Sequence, residues 1–279
     1  MKRFGRLTSK SVGEFDPKDW QSEGHSLLLA SRALRAQWLV QRRKLIDWPD
    51  QISPANSGRL IHLTNIDKAL PKSSVLLMGY AIEMYLKASL ARRMSGCAEE
   101  LFSHLSRKKF GHSYLKLAKF IEFPYTDVDQ KHFQYLESAV ISDARYPLSL
   151  KQGENYIDKC NSSRKKNTDR SEYRQYCDLA RRLSQYATKI GGTRTSTVFT
   201  EGFTIDNDGY LSLRAGGGVS TRITFKLSSA LKLQNDPLAV LKDNLDGVAP
   251  IAASLWDNAE IWEHAVDDDQ KITFRRITE

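Results

Sequence analysis

Apolar residues fall on nearly every face of a helix between positions 73 and 93. This stretch, SSVLLMGYAIEMYLKASLARR, carries two charged residues near its centre, Glu83 and Lys87, one helical turn apart. A helix that is apolar all round belongs in a protein core or in a membrane. Two ionisable groups at mid-depth would be costly in lipid, so we predict a buried central helix rather than a membrane span.

Amphipathic patterns predict further helices on both sides of the central one. Asp16 is placed to cap a first long helix that runs to Leu45, with Pro17 at its first position. Pro71 is expected to open the central helix. The other predicted helices cover residues 99–105, 113–122, 127–144 and 171–190. No regular structure is predicted for residues 1–15, for the basic loop 106–112 or for the polar stretch that ends at Asp169.

The composition of the chain changes after Gly191 and Gly192. Thr, Val and Phe become frequent, as in strands, and the DNDG sequence at 206–209 is typical of a hairpin turn. Polar and apolar residues alternate over 220–227, which predicts a half-buried strand. Residues 236–265 are predicted to be helical, in two pieces, and residues 271–278 to form a last strand. We therefore predict a mainly α fold, with a disordered N-terminus (1–15), a bundle of about five helices (16–190) and a small α+β module (191–279).

Positive charge is concentrated in the first two thirds of the 279-residue chain, whose net charge is +9. Residues 1–189 carry 33 Lys and Arg against 20 Asp and Glu, giving +13, whereas residues 190–279 carry 9 against 13, giving −4. A basic domain attracts polyanions, nucleic acid first, because its cations contact phosphates and release counterions. The alternative is a solvated surface that serves solubility.

The three cysteines, Cys97, Cys160 and Cys177, form no C-x-x-C pair. An odd count without that spacing argues for free thiols in a reducing compartment and against a disulfide framework or a zinc site. The basic start of the chain lacks the apolar segment of a signal peptide. We therefore expect a cytoplasmic protein that holds neither a metal nor another cofactor.

Four short motifs follow one another along the first 190 residues. They are Trp20-to-Gly24 before LLLASRALRAQW, the residues Ala81, Glu83, Leu86 and Lys87 in GYAIEMYLKASL, Gly111-His112 followed by Leu115 and Leu117, and Ala144-Arg145-Tyr146-Pro147. In order and spacing these motifs resemble the HEPN domain, a compact bundle of about five helices. The last motif is similar to an A-R-Y-P turn of the sacsin-like branch. The resemblance covers residues 16 to 190.

The resemblance implies one of two activities. Many HEPN proteins are metal-independent ribonucleases of toxin–antitoxin or defence systems, which work as homodimers with an Arg, four to six polar residues and a His at the dimer cleft. Others lack this motif and bind RNA or nucleotides, or pair with a nucleotidyltransferase. The chemistry of the motif is clear, because a neutral His can take a proton from a ribose hydroxyl and an Arg can hold the phosphate.

Arg107 and His112 have the spacing of this motif, but they precede the third predicted helix. In the family's nucleases the motif starts a later helix, where this chain has Arg145-Tyr146-Pro147 without a following His. We therefore predict an RNA- or nucleotide-binding protein without catalysis. A metal-independent endoribonuclease toxin and a purely structural dimerisation module are the alternatives.

The candidate site residues follow from the motifs and the charge. If the protein is an enzyme, His112 is the expected general base and Arg107 or Arg145 the phosphate ligand. The residues expected to bind phosphate or nucleic acid are Lys108, Lys109, Lys116, Arg145 and Tyr146. Glu83 and Lys87 either line the cleft and orient a ligand or His112, or form a structural pair in the core. The expected partners are RNA or a nucleotide, a second copy of the chain, and possible protein partners of the acidic C-terminal module.

Overall fold

A computed structural model describes residues 5–47, 57–143, 155–267 and 269–277. It confirms the mainly α fold followed by a small α+β module. The first part contains the helices α1 (Pro17–Ile46), α2 (Ser57–Arg93), α3 (Glu99–Ser103), α4 (Tyr114–Phe120), α5 (Asp127–Ser138), α6 (Tyr156–Thr168) and α7 (Arg170–Ile190), with a 3-10 turn at Gly13–Phe15 and π-helical turns at His104–Lys109 and Ala139–Asp143. The second part contains strands β1 (Val198–Ile205), β2 (Gly209–Gly216), β3 (Arg222–Lys226), β4 (Glu260–Val266) and β5 (Ile272–Arg276), helices α8 (Pro237–Val248) and α9 (Pro250–Leu255), and 3-10 turns at Leu231–Leu233 and Trp256–Asn258.

The start of α1 is set by its own sequence. The side chain of Asp16 accepts a hydrogen bond from the backbone N–H of Lys18 at 2.8 Å, and Pro17 occupies the first turn. This satisfies a donor that has no partner inside the helix, and the fixed φ of proline favours helix entry. The predicted cap is therefore confirmed.

The expectation that Pro71 opens the central helix is wrong. Helix α2 is continuous from Ser57, and Pro71 lies buried inside it. A proline in a helix removes one backbone hydrogen bond and crowds the preceding turn. Packing of α2 along α1 compensates, since Leu63, Val75 and Met78 are buried on both sides of the proline. None of the described helices is long and apolar enough to span a membrane.

Helix α6 replaces the polar stretch for which no helix was predicted. It has no apolar stripe, but Asn155 caps it by accepting from the N–H of Ile157 at 2.8 Å. Tertiary contacts hold it in place, because Arg164 donates to the buried carboxylate of Asp67 at 2.6 Å and the guanidinium of Arg35 donates to carbonyl groups at its end. These contacts come from distant parts of the chain, so periodicity could not reveal them.

The five strands form one sheet in the order β1-β2-β3-β4-β5, antiparallel except for the parallel pair β3–β4. The β1–β2 hairpin lies where the DNDG sequence predicted it. The predicted helix over residues 236–265 is correct for α8 and α9 but wrong from Glu260 onwards. That segment pairs with β3 on one side and β5 on the other, and these ladders override its local helical pattern.

The sheet is the middle layer of the molecule. One face is apolar and packs under α8 and α9; its buried residues are Leu211, Leu213, Ile223, Phe225 and Ile261. The other face is largely polar and packs on the helical bundle, where Arg222 and Thr224 are 3% and 1% exposed. Strand β3 is therefore buried on both sides, and the prediction of a half-buried strand is wrong.

The N-terminal segment and the sheet both join the core of the bundle. Leu7 is 3% exposed, its N–H donates to the carbonyl of Cys97 at 3.0 Å, and the N–H of Gly96 donates back at 2.8 Å. The prediction that the N-terminus is disordered is therefore wrong for residues 5–15, because a buried leucine and a backbone bridge anchor them.

The sheet also contributes to the core of the bundle. Tyr210 and Phe274 belong to the same buried cluster as α2, so the two predicted domains share a core. The sequence also predicts that residues 1–190 fold on their own, because their apolar positions form a complete set of helices, and this stays a prediction.

Candidate functional site around His112

His112 lies in the turn between the π-helical turn His104–Lys109 and α4. Its Nδ1 is 2.9 Å from Oε2 of Glu83, which projects from the middle of α2. The Glu83 side chain is 3% exposed, whereas the imidazole is 35% exposed. An ionised carboxylate can only accept hydrogen bonds, so Nδ1 carries the hydrogen and Nε2 is left as an acceptor. The pair thus holds a half-buried imidazole in one orientation.

Glu83 is shared among three partners. Its Oε1 lies 2.7 Å from Nζ of Lys87, the residue one helical turn further along α2. The ammonium group of Lys87 also lies 5.3 Å from the centroid of the Trp20 ring on α1. The hydroxyl of Tyr114 lies 3.3 Å from Oε2 of Glu83. The buried charge is therefore paired and hydrogen-bonded, as burial of an ion requires.

Two glycines make room for this arrangement. Gly79 faces the end of α5 so closely that an added Cβ would lie 2.8 Å from Cγ2 of Val140. Gly111 adopts a φ of 50°, the left-handed region that favours glycine, and reverses the chain just before His112. A larger residue at Gly79 would separate α5 from α2. One at Gly111 would strain the turn that carries the imidazole.

The electrostatics of the site fix which groups donate. Burial raises the pKa of Tyr114 far above its ordinary value, and the charge of Glu83 raises it further, so the hydroxyl stays protonated. Burial also raises the pKa of Glu137, whose carboxylate accepts from the N–H of Tyr114 at 3.1 Å. A histidine held at Nδ1 by a carboxylate can accept a proton at Nε2 or, when protonated, bind a phosphate.

Only some of the predicted site residues meet at this place. Glu83, Lys87 and His112 do. Arg107 lies on the π-helical turn, 67% exposed, and its guanidinium donates to Oε2 of Glu14 at 2.6 Å. Nζ of Lys109 donates to the carbonyl of Phe274 at 2.8 Å.

Of the remaining predicted site residues, the structure describes Lys108 and Lys116 but not Arg145 and Tyr146. Lys108 and Lys116 are exposed, and neither forms an ion pair within the described ranges. Arg145 and Tyr146 lie outside the described residues. The described cations expected to contact phosphate are therefore two exposed lysines, of which Lys116 interacts with the charge of Glu137, one paired arginine and one lysine bonded to the backbone.

The predicted basic loop 106–112 is in part a π-helical turn. Leu105 and Phe110 are both buried, and the N–H of Phe110 donates to the carbonyl of Leu105 at 3.0 Å. This five-residue spacing is the period of a π-turn. Burial of the two apolar ends leaves Arg107, Lys108 and Lys109 exposed between them. The basic side chains face solvent, as predicted for a loop, but the backbone that carries them is a regular π-helical turn.

Sequence reasoning missed the partners that complete the site. Trp20 and Tyr114 contact the Glu83–Lys87 pair from other helices, and Glu137 caps the start of α4 from a third. The only local signal was the position of Tyr114 two residues after His112. Contacts between separate helices leave no trace in the periodicity of either one.

Sequence reasoning also missed a second cluster of charges, between the bundle and the sheet. The Arg93 guanidinium, fully buried at the end of α2, pairs with Glu122 and, at 3.4 Å, with Glu260. Arg222 pairs with Glu260 at 3.1 Å and lies 4.5 Å from the centroid of the Phe120 ring. Burial lowers the pKa of Arg222 to about 10, so the side chain stays charged at neutral pH.

The described residues contain no group of three or more His, Cys, Asp or Glu arranged to hold a metal ion. The three cysteines are free. Burial raises the pKa of Cys97 to about 11, which makes that thiol a poor nucleophile at neutral pH.

No protein-family model, curated protein or solved structure matches the chain significantly. The resemblance to the HEPN family therefore stays a prediction that depends on four short motifs.

Proposed function

We propose that this protein binds RNA, without cleaving it, through the surface around His112. One observation carries the proposal: two exposed lysines that form no ion pair in the described structure, Lys108 and Lys116, stand four residues before and four residues after His112, whose imidazole is held by Glu83. Unpaired cations are free to contact phosphates. An oriented imidazole can hydrogen-bond to a phosphate or a ribose hydroxyl beside them.

The charge distribution supports a polyanionic ligand. The excess of +13 over residues 1–189 lies in the part of the chain that carries the site. Each phosphate that a cation neutralises releases counterions, and this entropy gain drives binding at low salt. A mononucleotide offers few phosphates, so we favour RNA over a single nucleotide.

The state of Arg107 favours binding over catalysis. A nuclease of the type that the resemblance implies needs an arginine free to hold the phosphate beside the histidine. Here the Arg107 guanidinium is paired with Glu14. Contact with a phosphate would first have to break that pair.

Fluorescence anisotropy with a labelled single-stranded RNA tests the proposal. We expect binding that weakens steeply between about 50 and 200 mM salt, and weaker binding by the double variant Lys108→Glu/Lys116→Glu. The matched control is Lys232→Glu/Lys271→Glu, which makes the same charge change at exposed lysines of the acidic module. Absence of binding by the unchanged protein at low salt would refute the proposal, as would equal losses in both double variants.

A second candidate function is a metal-independent endoribonuclease. The observation that favours it is the carboxylate–imidazole pair of Glu83 and His112, the arrangement of a positioned general base. We expect no RNA cleavage in EDTA from the unchanged protein. Cleavage that resists EDTA and falls by about 10²–10⁴-fold in His112→Gln would replace binding with catalysis as the function. Cleavage that survives this substitution would exclude His112 from the active site.

We propose further that the protein is a homodimer in a defence or toxin–antitoxin setting, as the resemblance implies. Exposed apolar side chains in the bundle, including Ile61 and Ile157 at 62% and 64%, are compatible with a second copy. A stable dimer would bury more than about 1,000 Å². Sedimentation showing only monomer at tens of micromolar would contradict this.

A further inference from the structure

The exposed face of α7 separates two clefts that the sequence did not indicate. One, of about 550 Å³, lies between α7 and α1 and is lined by His25, Arg32, Arg174 and Arg181, among others. The other, of about 400 Å³, lies between α7 and the start of α5, with Arg174 and Arg182 in its wall. Arg174 and Asp178 both line the two clefts, so the clefts meet at these two side chains. Clefts of this size are typical of ligand sites.

Two of the arginines in these clefts are already neutralised. Asp178 pairs with both Arg181 and Arg182, and Arg182 also pairs with Asp129. The hydrogen bond from Arg181 lowers the pKa of Asp178, which therefore stays ionised at neutral pH. These pairs fix the position of the two guanidinium groups but leave little net charge around them.

The other two arginines are available to a ligand. Arg32 and Arg174 are exposed, and neither is engaged in an ion pair over the ranges that the structure describes. A guanidinium group presents several N–H donors in a plane that matches two phosphate oxygens. Two free guanidinium groups therefore stand in one pair of connected clefts, one in the α1 wall and one at the junction.

We infer that the backbone of a single-stranded RNA crosses α7 through both clefts, with its phosphates on Arg32 and Arg174. The inference rests on the proposed function but assigns a surface other than the one around His112. A flexible strand can follow two clefts that meet on one face of α7, whereas a duplex is too stiff to bend into them. A folded acidic protein would need a broader surface than these clefts offer. The contacts are to phosphates, so they add affinity and not sequence specificity.

The variant Arg32→Gln/Arg174→Gln tests this assignment by RNA anisotropy at several salt concentrations. Both side chains are exposed, so we expect the variant to fold and melt like the unchanged protein. Loss of two phosphate contacts should weaken RNA binding about 10-fold or more at low salt. It should also reduce the slope of log K against log salt by roughly 1.4, since each single-strand phosphate contributes about 0.7. The control Lys232→Gln/Lys271→Gln removes the same charge and should leave the slope unchanged.

The outcomes separate the inference from the proposed function. RNA binding that is unchanged in Arg32→Gln/Arg174→Gln but weakened in Lys108→Glu/Lys116→Glu would overturn the inference and leave the proposed function intact. No RNA binding by the unchanged protein would refute both. A labelled poly-glutamate peptide tests whether the clefts bind an acidic protein segment instead. If Arg32→Gln/Arg174→Gln loses binding of the peptide but retains binding of RNA, the clefts belong to an acidic protein segment and the inference is overturned.

Discussion

Two of the places where the described part of the molecule buries charge differ in what the charges can reach. In the His112 site, Glu83 and Lys87 come from one helix, and the group they support is an imidazole 35% exposed to solvent. In the cluster between bundle and sheet, Arg93, Arg222 and Glu260 come from distant elements, and the guanidinium groups of both arginines are enclosed. The first arrangement leaves a titratable ring in contact with solvent. The second joins two layers.

This difference separates a buried charge that supports an exposed group from buried charges that hold two layers together. A buried ion pair contributes little net stability when compared with apolar residues of the same shape, but removing one partner is costly. The cluster between the layers fits a structural role, since nearby hydrogen bonds also join the bundle to the sheet. Arg93, at the end of α2, donates to the carbonyl of Ser220 just before β3, and Arg214 of β2 donates to the carbonyl of Arg92 at the end of α2 at 3.1 Å. In the His112 site, Nε2 forms no hydrogen bond with the described residues. A purely structural role would not require a ring nitrogen that is left without a partner.

Substitution of Arg93 is expected to have the largest effect on the free energy of unfolding. In Arg93→Met the carboxylates of Glu122 and Glu260 lose a buried partner, and we expect a loss of about 3–5 kcal/mol in the free energy of unfolding. Urea denaturation measures it. Arg275→Met is the control, because this exposed arginine pairs with Glu263 at the surface and should cost no more than about 1 kcal/mol. Equal losses would show that the buried cluster does not join the layers.

A smaller loss is expected when the carboxylate of the His112 site is removed. Glu83→Gln keeps the shape but leaves the ammonium group of Lys87 without its partner, and we expect about 1–3 kcal/mol of destabilisation. The double variant Glu83→Gln/Lys87→Met should recover part of this loss, as measured by a double-mutant cycle in urea. Purely additive effects would mean that the two residues do not interact in solution.

Acid sensitivity should come from His264, a third buried group. Burial, with a contribution from the Lys226 charge, lowers the pKa of His264 to about 3, so the folded protein keeps it neutral. The unfolded chain binds a proton at this residue below about pH 6.5, and stability should therefore fall as pH drops, by about 1.4 kcal/mol per pH unit down to about pH 3.

The variant His264→Gln should remove this share of the pH dependence between pH 6 and 5, measured by urea denaturation. His62→Gln provides the matched control, because His62 is exposed on α2 and its loss should leave the slope unchanged. An identical slope in all three proteins would show that His264 is not the acid-sensitive group.

The smallest expected effect on stability belongs to the central residue of the candidate site. His112→Gln should change the free energy of unfolding by no more than about 0.5 kcal/mol, since the imidazole is partly exposed. The same variant is the one expected to alter ligand binding. A loss comparable to that of Arg93→Met would place His112 among the structural residues and remove the contrast between the two regions.

The tautomer of His112 gives a measurement that involves no loss of stability. With the Glu83 carboxylate as acceptor, Nδ1 carries the hydrogen, and ¹⁵N chemical shifts of the ring should report this form. In Glu83→Gln the amide can donate as well as accept, so the preference for this form should weaken. A ring protonated at Nε2 in the unchanged protein would contradict the orientation of the site.

Part of the candidate site could be predicted from the sequence and part could not. The spacing of Glu83 and Lys87 placed them on one face of a helix, and the structure pairs them at 2.7 Å. Contact with His112 was an open alternative until the fold placed these residues, 29 apart in the chain, at 2.9 Å. Trp20 was noted only as part of a motif, because its position over Lys87 depends on how α1 packs on α2.

The sequence by itself determined the features that depend on neighbours along the chain. Asp16 and Pro17 start α1, the apolar content of residues 73–93 requires burial, and the DNDG turn closes a hairpin, since caps, periodicity and turn chemistry act within a few residues. Tertiary structure decided whether a charged residue is exposed or enclosed. Arg222 alternates with apolar neighbours as a solvent-facing residue would, yet it is buried because the bundle covers that face of the sheet. The free energy of a buried charge depends on partners that are distant in sequence, and no local pattern records them.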